Sequence, residues 1–138
     1  MKSVHTKTCD LSIDEHGIFH KTVLENCHVD IDAVKESDIA TEELTEGKKV
    51  LMLYDARPHF TLTEDAMEYA RKDIFNKKRI ATAIVSEKIG IRLMVDYIMN
   101  VVKSPIPIKV FSTIEDATEW LLTFKKEEAN ALRLKKQA

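Results

Sequence analysis

The chain has 138 residues, of which 44% are hydrophobic and 32% charged, and a net charge of −2. That length fits one domain with a real core, roughly 68% of the unfolded chain's surface being buried at such a size, and the composition excludes global disorder. The mildly acidic balance argues against a nucleic-acid partner, because neutralising phosphates needs a positive field. No stretch approaches the ~18 apolar residues of a membrane span.

The opening Met1-Lys2-Ser3 leads into mixed polar residues with no apolar core of a secretory signal. A cytoplasmic chain is expected, with its two cysteines, Cys9 and Cys27, as free thiols. Val4 to Ile13 and Ile18 to Leu24 read as strands joined by the polar cluster Asp14-Glu15-His16-Gly17, a hairpin signal. Asp30-Ile31-Asp32 is placed to cap a helix reaching about Leu44. Its apolar stripe is ragged (Ala33, Val34, Ala40, Leu44), and Gly47 stands where a helix stops.

Val50 to Tyr54 is a continuous apolar run, as expected of a strand buried on both faces. Residues 61–75 switch to helical spacing through Leu62, Ala66, Met67, Ala70 and Ile74. Thr61 with Glu64 matches a capping box and Thr63 is an alternative cap; Asn76 with Lys77, Lys78 and Arg79 marks the helix end. Ile80 to Val85 is a second buried strand. A helix then runs from Ser86 or Glu87 to about Lys103, where Pro105 and Pro107 break it. Ile108 to Phe111 alternates as a third strand. Ser112-Thr113-Ile114-Glu115 offers a capping box, and the last helix carries Ile114, Ala117, Leu121 and Phe124 on one face.

Strand–helix repetition predicts parallel strands with long crossovers, and the leading hairpin adds antiparallel ones. The fold class expected is α/β, a mixed sheet of about five strands with about four helices. Residues 1–126 form the single domain and 127–138 a charged helical extension or tail.

Val50–Asp55, the capped helix over 61–75, Ile80–Val85, the helix over 88–102 and Phe111-Ser-Thr-Ile-Glu-Asp-Ala-Thr-Glu-Trp-Leu121 together resemble the SpoIIAA-like, STAS-type domains. The likeness is greatest to small stand-alone bacterial proteins of that kind and spans roughly residues 17–125. It implies a regulatory, protein-binding role without chemistry of its own. Better-known STAS proteins antagonise anti-sigma factors and are switched by phosphorylation of a Ser or Thr at the start of the helix after the strand corresponding to 50–54. Asp55 ends its strand as that family's aspartate does, and Thr61 and Thr63 are the nearest hydroxyls, hence the candidate phosphoacceptors. The family's Asp-Ser-Ser/Thr-Gly turn is absent here. The likeness of such folds to lipid carriers of the SEC14 kind implies an alternative, a carrier or sensor of a small apolar ligand held near Phe60, Met94 and Tyr97.

The remaining chemistry is sparse. Gly17, Gly47 and Gly90 lie far apart, so neither a dinucleotide fingerprint nor a P-loop can be written. Cys9, His16, His20, Cys27 and His28 cluster near the start, but their spacing does not match a zinc site. Asp30/Asp32 and Glu42/Glu43 read as a cap and a solvated face. No catalytic residue, metal or cofactor is therefore expected.

Two surfaces stand out. The loop carrying Asp55, Arg57, His59, Thr61 and Thr63 follows a parallel strand and precedes a helix N-terminus, where ligands and partners gather. The helix over 88–103 has one polar stripe, Arg92, Asp96, Asn100 and Lys103, and more apolar surface than one sheet contact uses. Ile91, Met94, Val95, Tyr97 and Met99 are its candidates for a homodimer interface or an apolar groove.

Overall fold

The computed structural model describes residues 2–73 and 78–137. The sequence signals at Ile74, Asn76 and Lys77 lie outside them. The chain runs through strands β1 (Ser3–His5), β2 (Cys9–Ile13), β3 (Ile18–Val23) and β4 (Cys27–Val29), then helix α1 (Ile31–Thr45). Strands β5 (Val50–Asp55) and β6 (Phe60–Leu62) lead to α2 (Glu64–Asp73), and β7 (Arg79–Val85) to α3 (Ile89–Tyr97). A π-helical turn over Ile98–Val102 continues α3, and β8 (Ile108–Phe111) and α4 (Ile114–Gln137) complete the chain.

The main sheet has six strands in the order β1-β2-β3-β5-β7-β8. The first two pairings are antiparallel and the last three parallel. This is the α/β mixed sheet with four helices that the sequence predicts, with one strand more than expected and a separate two-stranded parallel sheet, β4-β6. The stretch from Val4 to Ile13 is divided. Residues 6–8 turn, and the Thr6 hydroxyl accepts the Cys9 amide at 3.1 Å, so β1 folds back on β2.

Local chemistry explains the elements. In the β2–β3 turn, Asp14 Oδ1 accepts the amides of His16 (2.9 Å) and Ile18 (3.0 Å), and Gly17 takes φ 80°, a conformation costly to other residues. Asp30 caps α1 by accepting the Ala33 amide at 2.8 Å. The ragged stripe of α1 has a physical cause. Ser37, Thr41 and Thr45 are buried, and their hydroxyls donate to the carbonyls of Val34, Ser37 and Thr41 at 2.9, 2.7 and 2.9 Å. Polar residues thus occupy core positions with their hydroxyl protons bonded inside the helix, while Ser37 Oγ also accepts Lys21 Nζ of β3 at 3.3 Å.

Helix α4 lies on one face of the sheet. Ala117 and Leu121 pack on Ile18, Leu51, Leu53, Ala81, Ala83 and Val85, the small alanines of β7 permitting close approach. Helices α1 and α3 lie on the other face. Ala40 and Leu44 of α1 meet Cys9, Leu11, Phe19 and Met52; Val95 and Ile98 meet Ile84 and Ile108. Helix α2 docks on α1 and the small sheet through Ala66, Val29, Ala33 and Val34.

The structure selects Thr63, the alternative cap, for α2 and shifts the starts of α3 and α4 from the sequence reading. Thr61 belongs to β6, because residues 60–62 pair with 27–29, and Thr63 caps α2 by accepting the Ala66 amide at 3.3 Å. Helix α3 starts at Ile89 because the Ser86 hydroxyl accepts the Lys88 amide at 3.1 Å and holds residues 86–88 in a turn. Thr113, rather than Ser112, caps α4 by accepting the Asp116 amide at 3.2 Å.

Candidate functional site

The carboxyl ends of the parallel strands are laced together by backbone. The Ala56 amide donates to the Val85 carbonyl (3.0 Å) and the Ser86 amide to that of Phe111 (2.9 Å). This lacing places Asp55 in the protein, with a side chain only 7% exposed. Its Oδ1 accepts the Arg57 amide (3.1 Å) and Nε (2.9 Å), and its Oδ2 accepts Nη2 (2.8 Å). Burial pushes the Asp55 carboxyl up, but the Arg57 guanidinium and amide outweigh that and hold it below its ordinary value. Asp55 raises the guanidinium's pKa in turn, with Glu115 and Glu87 adding to the field.

The other loop residues go their own ways. His59 is exposed, and its carbonyl accepts the Asn26 amide at 2.7 Å. Thr61 is exposed on β6, its hydroxyl 2.7 Å from His28 Nδ1. Thr63 donates to Asp65 while capping α2. Of the five residues singled out in sequence, Asp55 and Arg57 therefore come together as a unit. Each threonine hydroxyl is engaged elsewhere, and a phosphoryl group on Thr63 would meet Glu64 and Asp65. Sequence reasoning missed Lys88. Its Nζ donates to the Pro58 carbonyl (3.4 Å) and lies 4.6 Å from the centre of the Phe60 ring, clamping the loop from 30 residues away.

The second surface is α3 with its π-turn. Here the structure corrects the sequence reading. Val95 is 2% exposed and faces the sheet, and Ile91, Met94 and Met99 pack against the same cluster. Of the five residues proposed for an interface or apolar groove, Val95 is buried, Ile91, Met94 and Met99 are half-buried, and Tyr97 is 58% exposed. The outward row is instead Ile89, Leu93, Tyr97 and Val101, 75%, 62%, 58% and 62% exposed, followed by Val102. These residues recur every four positions, so they form one ridge along the helix. The spacing carried that signal, since any i, i+4 row beside the polar stripe is equally apolar; only packing decides which row faces the sheet. The π-turn closes with Lys103 at φ 60°.

The three residues expected to hold an apolar ligand do not share one place. Phe60 and Met94 lie in the cluster beneath α3, and Tyr97 stands outside it. One cleft, about 430 Å³, lies between α1 and α2 and is lined by Ile39, Glu42, Tyr69 and Arg79 among others. A smaller one, about 160 Å³, lies by His16, Lys49 and Phe124. Among the described residues, no three His, Cys, Asp or Glu side chains are grouped as a metal site, and no helix is long and apolar enough to cross a membrane.

A family model, described as a domain of unknown function (DUF7793), matches residues 11–125. No curated protein matches the sequence. Among solved structures, the chain is similar to an uncharacterised protein of the DUF3478 family with a SpoIIAA-like fold from Shewanella loihica PV-4. The identity is 14% and the TM-score 0.65, over 88% of this chain and 99% of that one. The SpoIIAA-like fold is thereby established; the STAS family itself is not.

Proposed function

The chain belongs to the DUF7793 family, and we propose that it works as a protein-interaction module, regulatory in the manner of STAS-like domains and without chemistry of its own. The observation that carries this reading is the ridge of α3. Four large apolar side chains stand more than half exposed in one line while the opposite side of the same helix fills the core. Isolated exposed apolar residues need no explanation, but a contiguous row is the kind of surface that partners cover. The loop after β5 supports the reading from the other side: Asp55 and Arg57 spend their hydrogen bonds on each other, as a rigid structural element does.

Leu93→Lys/Tyr97→Lys tests the proposal. Both positions are exposed, so unfolding should shift by little, within ~0.5 kcal/mol per site. Cross-linking in extract should yield adducts with the parent chain that the double variant loses. Identical adducts from both chains would remove the ridge from consideration as the docking surface.

A further inference from the structure

We propose that the partner of this ridge is a second copy of the chain, with the two α3 helices packed antiparallel about a two-fold axis; the inference rests on the ridge being a docking surface. The argument is charge order. Beside the apolar row Ile89, Leu93, Tyr97, Val101 runs a second row one position earlier, Lys88, Arg92, Asp96, Asn100, all exposed. Both rows step by four, so they lie side by side along the helix.

A two-fold contact brings a surface against itself, so each residue must tolerate its own row in the orientation the axis sets. Antiparallel packing reverses the row. Leu93 then meets Tyr97 of the other copy, twice by symmetry, in the middle of the helix. In the flanking row Arg92 meets Asp96 of the other copy, twice by symmetry. Parallel packing would set this row against the opposite flank of the other copy, which carries Gly90 and Met94, so neither Arg92 nor Asp96 would meet an opposite charge.

Neither Arg92 nor Asp96 has an ion-pair partner within its own chain among the described residues. A lipid surface would ask for a uniformly basic flank, and Asp96 puts a negative charge in the middle of this one. Interdigitated four-step ridges cross at about 50°, which limits the contact to the middle of the helix. The area is thus at the small end of specific interfaces and the association is weak.

Sedimentation equilibrium on the full chain, up to about 500 μM as a weak contact requires, reads the result. The parent chain should self-associate. Arg92→Asp and Asp96→Arg should each weaken association by roughly tenfold or more, each creating two like-charge contacts, and the double variant Arg92→Asp/Asp96→Arg should restore it to within about threefold. A chain that stays monomeric throughout, or a double variant no better than the singles, overturns the antiparallel pairing. Adducts in extract that still depend on Leu93 and Tyr97 would then leave the docking surface standing with a different partner, whereas adducts independent of them remove both readings. Ridge-dependent binding to vesicles of anionic lipid by a monomeric chain would assign the ridge to a membrane surface and likewise overturn self-pairing.

Discussion

Asp55 and Arg57 are two residues apart, and their pairing turns a strand end into a rigid corner. The Asp55 carboxyl is buried, yet the guanidinium and amide of Arg57 hold it below the ordinary carboxylate value. A folded pKa below the unfolded value of about 3.9 means that the ionised form is favoured by folding. The stabilisation is present in full above roughly pH 5 and is lost as pH falls through the folded pKa. Asp14 acts in the same direction. Burial raises its carboxyl, but His20 at 2.8 Å and the amides of Ile18 and His16 lower it further. The protein should therefore lose stability below about pH 4, and Asp55→Asn should flatten that acid limb in denaturant titrations repeated across pH. At neutral pH the same variant should cost about 1–3 kcal/mol, the range for a charge-assisted bond lost at a buried site. A variant with an unchanged acid limb would show that the pair carries no such load. At Gly90 the expectation has the opposite sign. A Cβ built there meets nothing within 4 Å, and α3 currently accommodates a residue of poor helix propensity. Gly90→Ala should stabilise by about 0.5–1 kcal/mol, read as a higher urea midpoint with unchanged slope.

At the scale of elements, α1 depends on its cap more than on its stripe. Its core face carries Ser37, Thr41 and Thr45, which bury little apolar surface, so the bond from Ala33 to Asp30 matters correspondingly. Asp30→Ala should cost about 1 kcal/mol in thermal or denaturant unfolding; a loss within error would mean that α2 and the sheet alone fix the helix start. This helix also marks the boundary of what sequence could convey. Asp30 and Gly47 punctuate it locally, and β5 and β7 are written as apolar runs and β8 as an alternating one, none of which needs distant information. By contrast, Thr61-Leu62-Thr63-Glu64 supports a cap at either threonine equally well. The choice was made by the pairing of Phe60–Leu62 with Cys27–Val29, a non-local ladder of three residues. The Lys88 clamp on Pro58 and Phe60 spans 30 residues and leaves no trace in spacing. On α3 the amount of apolar surface was legible but its direction was not. Val95 and Tyr97 differ by about 200° around a helix of 3.6 residues per turn, and either could have faced the sheet until the sheet was placed.

At the scale of the molecule, α4 joins two regimes in one 24-residue helix. Its first three turns are part of the core: Ala117 and Leu121 are fully buried, and Trp120 stacks against Phe111 and Phe124 at 5.6 and 4.9 Å between ring centres. From Lys125 through Lys136 every residue is exposed, Leu132 and Leu134 included, and Lys125 marks the transition by donating to the His16 carbonyl at 2.9 Å. The family match also ends at residue 125. A helical segment of about twelve residues without tertiary packing is marginal on its own, so it borrows its nucleus from the packed turns and returns little stability to them. Two variants on the same helix should then separate sharply. Leu121→Ala opens a cavity between α4 and Leu51, Leu53 and Ala83, and should cost about 2–5 kcal/mol. Removal of residues 127–138 should shift stability by no more than about 0.5 kcal/mol while lowering the helical signal in circular dichroism. Measured together by denaturant unfolding, the pair locates the domain's energetic edge. A truncation as costly as Leu121→Ala would place that edge beyond Lys126 and assign the exposed turns a contact within the folded chain.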